Sequence, residues 1–147
     1  MRFSTKARYG LRIVMRLAEE CASSGAVNKP IPLWLLAEKE RISKKYVEHI
    51  ATQLERAGIL RGFRGPSGGY CLAKPPSSIT AREVIEAVET VRTNVCTKKI
   101  SDCPVYPSSK KCKVRPFWIG LEKAIKDYME NTTIESLLNG KKGGRRR

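Results

Sequence analysis

The sequence predicts a mainly α chain with a small β wing: a winged helix–turn–helix unit followed by a long C-terminal helix. Three observations carry this. Residues 42–72 read ISKKYVEHIATQLERAGILRGFRGPSGGYCL, a two-faced helix followed at once by a Gly-rich, Arg-bearing hairpin. A short apolar helix, joined by a very brief turn, comes just before it. Finally, Lys and Arg number 29 against 14 Asp and Glu, a net charge of +15, which calls for a polyanionic partner such as nucleic acid or an anionic membrane surface.

The two-faced helix has a dry side of Tyr46, Ile50 and Leu54, with Val47, Ala51 and Ala57 beside them. Lys45, Glu48, His49, Thr52 and Arg56 share the opposite side. Ser43 stands where an N-cap belongs, and Gly58 where a helix stops. The expected hairpin strands are 59–62 and 70–73, closed by the loop 63–69. In such an arrangement the helix lies in the major groove of DNA and the wing touches backbone or minor groove. A solvated helix beside an ordinary hairpin gives the same local pattern; the charge of the chain favours DNA.

The first helix is expected over residues 5–22, with Tyr9, Ile13 and Leu17 leading its apolar face. Arg8, Arg12 and Arg16 crowd the other. Residues 22–32 form a loop, in which 30–32 can add one short strand to the wing. Helix two spans 33–40, and Arg41 and Ile42 turn into the recognition helix. After the wing, 75–78 break the chain. Thr80 and Glu83 form a capping box that opens helix four through Val84, Ile85 and Val88. Periodicity then vanishes until a long helix at 117–131, whose Phe117, Trp118, Leu121, Ala124, Ile125, Tyr128 and Met129 imply a partner helix. The expected divisions are 1–75 for DNA binding, 76–116 for helix four and a cysteine-bearing loop, 117–138 for dimerisation, and a disordered basic tail at 139–147.

No run of about 18 apolar residues occurs, so nothing is expected to span a bilayer. The N-terminus lacks the apolar core of a signal peptide. A protein of the reducing cytoplasm is expected, with its five cysteines free or metal-bound rather than disulfide-paired. Catalysis is not expected. The single histidine sits on the DNA-facing helix and leaves no Cys–His or Ser–His pair. Residues 65–69 lack the Lys-Ser/Thr ending of a phosphate-binding loop.

MRFSTKARYGLR at the start, ISKKYVEHI in the helix and RGPSGGYCLAK in the wing resemble the Rrf-two family of bacterial winged-helix transcriptional regulators. AREVIEAVE and the segment from Cys112 to Trp118 fit as well, so the resemblance covers about residues 1–138. It implies a dimer on a two-fold, double-stranded DNA operator. It places Lys45, Glu48 and His49 at base edges and Arg64 in the minor groove, where negative potential suits a guanidinium. A carboxylate such as Glu48 fits there by accepting a hydrogen bond from cytosine N4. For His49, direct base contact and simple solvent exposure both stay open.

Cys96, Cys103 and Cys112 are spaced Cys-x₆-Cys-x₈-Cys. Alone, that is weak evidence for a metal. The resemblance is to the cluster-binding branch of the family, which implies one iron–sulfur cluster (2Fe–2S or 4Fe–4S) on these three thiolates. Zinc, a thiol switch answering to oxidation or a partner protein, and an empty site are the alternatives. Some members of that branch carry a histidine three residues after the third cysteine. Arg115 stands there in this chain and cannot ligate. Others use an acidic residue early in helix one, and here none precedes Glu19. The fourth position then falls to Asp102, a distant carboxylate or an exogenous ligand.

Overall fold

A computed structural model describes residues 3–24, 29–91, 96, 98–106 and 112–140. Among these residues six α-helices and one hairpin are arranged in the order α1 (Thr5–Ser24), α2 (Leu33–Glu40), α3 (Lys44–Arg56), β1 (Leu60–Phe63), β2 (Gly69–Leu72), α4 (Ala81–Val88), α5 (Arg115–Glu130) and α6 (Ile134–Leu138). The fold is mainly helical with a two-stranded antiparallel wing. The tail expected at 139–147 lies outside the described residues beyond position 140.

The core forms where α1 is gripped by α2, α3 and α4. Ile13, Val14, Leu17 and Ala18 are buried, and Leu36, Val47, Ile50, Leu54 and Val84 pack with them. Ser4 caps α1 by accepting the Ala7 N–H at 3.1 Å, and its own N–H donates to Glu89 at 3.0 Å. Ala7 and Gly10 complete the inward face of α1, and a Cβ at Gly10 would sit in ordinary contact with Val88 at 3.6 Å.

Among the described residues one charged side chain is buried. Glu40, at the end of α2, is 4% exposed and takes bonds from two arginines of α1. Arg12 Nε donates to one carboxylate oxygen, and Arg16 Nε and Nη2 approach the other at 3.4 Å. The bond from Glu40 pushes the Arg12 guanidinium pKa up further. The arginines of the outer face of α1 thus clamp the end of α2, next to the turn. In that turn Arg41 adopts φ 54°, a left-handed conformation rare outside glycine, and its N–H closes α2 onto Ala37 and Glu38.

α3 ends in a Schellman motif. The Ile59 N–H bonds to Leu54 O at 3.0 Å and the Gly58 N–H to Glu55 O at 2.9 Å, with Gly58 at φ 72°. This motif explains two differences from the sequence expectation. Ala57 lies past the last helical turn and is exposed rather than on the buried stripe. Ile59 spends its N–H on the cap, so β1 starts one residue later than expected. Register pairs Leu60 with Leu72 and Phe63 with Gly69. Cys71 and Leu72 are both buried, because β2 abuts α1 as well as β1.

The capping box is present: Thr80 Oγ1 accepts the Glu83 N–H at 3.2 Å, and Glu83 accepts the Thr80 N–H at 2.9 Å. α5 begins at Arg115, two residues before the expected start, since Pro116 is tolerated in a first helical turn. Of α5 only Met129 is buried. The chain then returns to α4. The Ala81 N–H bonds to Thr132 O at 2.8 Å and the Ile134 N–H to Ile79 O at 2.9 Å.

Candidate nucleic-acid interface

The burial of Val47, Ile50, Ala51 and Leu54 fixes the rotation of α3. Lys44, Lys45, Glu48, His49 and Arg56 are therefore all exposed on its outer face. Ser43 caps the helix by accepting the Tyr46 N–H at 3.2 Å. The edge of the Tyr46 ring meets Tyr9 of α1, with centroids 6.0 Å apart.

The wing is held in place by three contacts, two of them to α3 and not foreseen from the sequence. Glu55 accepts the Gly62 N–H at 2.9 Å. Ile31 and Tyr70 exchange backbone bonds at 2.8 and 2.9 Å, which realises the short extra strand expected at 30–32. The Tyr70 hydroxyl meets Thr52; burial pushes this phenol up and the Thr52 contact opposes it. Thr52 also donates to Glu48 O at 2.8 Å. Of the five expected DNA-facing residues, Thr52 is half-buried with its hydroxyl occupied by protein partners. The other four, Lys45, Glu48, His49 and Arg64, are exposed.

Gly69 makes the close approach to Ile31. Its φ is 148°, and a Cβ there would fall 2.0 Å from Ile31 O. Between α2, α3 and the wing lies a cleft of about 550 Å³, lined in part by Trp34, Lys44, Glu48, Phe63 and Arg64. Among the described residues the ion pairs occur elsewhere, on α1, α2, α4, α5 and the chain just after β2. Among the described residues the cations of α3 and the wing take part in none of these pairs.

Cys96, Cys103 and Cys112 are each half-buried in the stretch before α5. A short 3₁₀ turn, Ile100–Asp102, precedes Cys103, and Arg115 donates to Lys98 O at 3.1 Å, tying α5 to this stretch. Three thiols are a donor set that suits an iron–sulfur cluster. Their placement does not assemble one. Among the described residues no group of three or more His, Cys, Asp or Glu side chains could hold a metal ion, so the expected ligand set is not brought together. Cys71 is buried and Cys21 half-buried, and burial pushes both thiols up.

Comparison with known proteins agrees with this geometry. Residues 3–140 match the family described as Rrf2, iron-dependent transcriptional regulator. The transcriptional regulator CymR of Bacillus subtilis is 33% identical over 137 residues, 93% of this chain and 89% of that protein. The transcriptional regulator IscR of Escherichia coli is 32% identical over 140 residues, 95% of this chain and 81% of that protein. The solved structure of CymR, called the global cysteine regulator of B. subtilis, superposes with a TM-score of 0.73 at 29% identity, covering 95% of this chain and 98% of that one. The matched proteins are regulators rather than enzymes.

Proposed function

This chain belongs to the Rrf2 family of DNA-binding transcriptional regulators, and from that premise we propose a homodimer that sets α3 in the major groove and the wing in the minor groove. The observation that carries this reading is the exposed basic face of α3 and the wing, whose cations form no ion pair among the described residues. Lys45, Glu48 and His49 are the base-edge candidates, and Arg64 enters the minor groove. Thr52 fixes the wing to α3 instead. Selection from a random duplex pool should return a two-fold motif, and Arg64→Ala should weaken binding to it by about 1–3 kcal/mol. Equal affinity of mutant and wild type at one salt concentration removes the wing from the interface.

The dimer rests on α5. Phe117 is 63% and Tyr128 61% exposed, and Leu121 and Ala124 lie on the same side of the helix. Beside them a groove of about 820 Å³, lined by Ala7, Leu11, Ile85, Ile125 and Met129, opens between α1, α4 and α5. A second copy of α5 can cover that surface.

The signal enters through the cysteine stretch. Cys96, Cys103 and Cys112 would hold an iron–sulfur cluster as thiolates, and the family description as iron-dependent supports that choice. When bound, the cluster supplies a redox-active, ligand-exchangeable centre. The separation of the three cysteines favours a second reading, a cluster-free regulator that responds through its thiols. Absorbance of protein purified without oxygen, with iron and sulfide analysis, decides between them. Brown protein that turns colourless on Cys103→Ala supports the cluster, and colourless wild type supports the second reading.

A further inference from the structure

Two large aromatic side chains stand exposed beside the recognition helix: Trp34 on the first turn of α2 is 58% exposed, and Phe63 at the end of β1 is 41% exposed. Neither supports the core, and both line the same cleft, between α2, α3 and the wing. Lys44 and Arg64 bring positive charge to it. Two carboxylates line it as well: Glu55, engaged by the Gly62 N–H, and Glu48, the base-edge candidate of α3.

Grooves of a duplex are divided by its strands. With α3 in a major groove and the wing in the neighbouring minor groove, one strand has to cross the space between helix and wing. That space is this cleft. We propose that it is the channel for one sugar–phosphate strand of bound DNA. Trp34 and Phe63 pack on deoxyribose C–H surface, and Lys44 pairs with a phosphate. The proposal rests on the regulator reading above. It adds three residues whose contacts position the protein without reading sequence. Deoxyribose faces supply the apolar partner that the two aromatic rings lack, and the phosphate meets the lysine.

The test uses the full chain and a labelled random-sequence duplex of about 30 base pairs, long enough for two half-sites one helical turn apart. Trp34→Ala should weaken binding on the order of tenfold, as one interface anchor does. It should do so by the same factor on random and selected sequence, with the salt dependence unchanged. Lys44→Ala should lower the slope of log affinity against log salt by about one. Phe63→Ala should act like Trp34→Ala. Both aromatics are exposed, so melting temperature and dimer mass should match wild type.

Equal binding by Trp34→Ala, Phe63→Ala and wild type overturns the proposal. So does a loss confined to one sequence, which would make Trp34 a base reader, or a loss that tracks dissociation of the dimer. Wild type without salt-dependent binding to any duplex overturns the regulator reading itself, a result separate from either.

Discussion

Replacing the two arginines that clamp Glu40 should cost more than replacing Glu40. The side chain of Glu40 is 1% exposed, while those of Arg12 and Arg16 are 54% and 32% exposed. Glu40→Ala frees two cations that already touch water, so the loss is little more than one charge-assisted bond with its packing, about 2 kcal/mol. Arg12→Ala with Arg16→Ala instead strands a carboxylate with almost no solvent, a situation worth roughly 3–5 kcal/mol. For a domain of this size each kcal/mol moves the melting temperature by about 2–4 °C. The order of the two variants is therefore readable by circular dichroism at fixed protein concentration. Urea denaturation gives the free energies directly. A double-arginine variant as stable as Glu40→Ala would refute the reasoning, since it would mean that Glu40 reaches water without its partners.

Three further substitutions test other parts of the structure. Gly69→Ala drives a Cβ into the Ile31 carbonyl, 2.0 Å away at φ 148°, so it should unseat the wing. DNA affinity, followed by fluorescence anisotropy, should fall far more than helix content. Burial works against the Glu83 carboxylate, but the Lys74 ammonium and the Thr80 N–H outweigh it and hold its pKa below the usual carboxylate range. A depressed folded pKa contributes stability above the unfolded value and loses it as pH falls. Glu83→Gln keeps an acceptor for the capping box and loses the charge facing Lys74, so it should cost at most about 1 kcal/mol at neutral pH, with the gap to wild type closing below about pH 4 in urea titrations. Leu121→Asp with Ile125→Asp should leave a monomer by sedimentation, and a wild type that is already monomeric at micromolar concentration would end the case for α5.

Much of this architecture is legible in the sequence because it is written in local chemistry. Ser43, Gly58, Thr80 and Glu83 mark helix ends through bonds made within a few residues. The clamp on Glu40 is not, because its partners lie 24 and 28 residues away. The only hint is Arg12 and Arg16, one helical turn apart on α1 with no nearby acid except Glu19 and Glu20. Thr52 illustrates a limit of periodicity. Helical spacing puts it on the outer face, yet it cannot foresee Tyr70 arriving from the wing to take its hydroxyl. The spacing of Cys96, Cys103 and Cys112 likewise gives positions along the chain, and among the described residues no metal-holding group of three such side chains forms.

The anchoring of α5 at one end has a mechanical consequence. Met129 is its only buried side chain, and the bonds through Thr132 and Ile134 fasten the C-terminal end of the helix to the start of α4. The helix, about 24 Å in all at 1.5 Å per residue, runs back from that anchor to Arg115, whose bond to Lys98 O joins it to the cysteine stretch, with Cys112 just before its first turn. A small sideways load near that cysteine is multiplied by the lever arm into a torque at Met129. α4 receives the torque, and α4 bears on both α1 and α3. On the proposed reading, a change at the thiols would reach the DNA-facing helix through these sixteen helical residues and α4 rather than by contact.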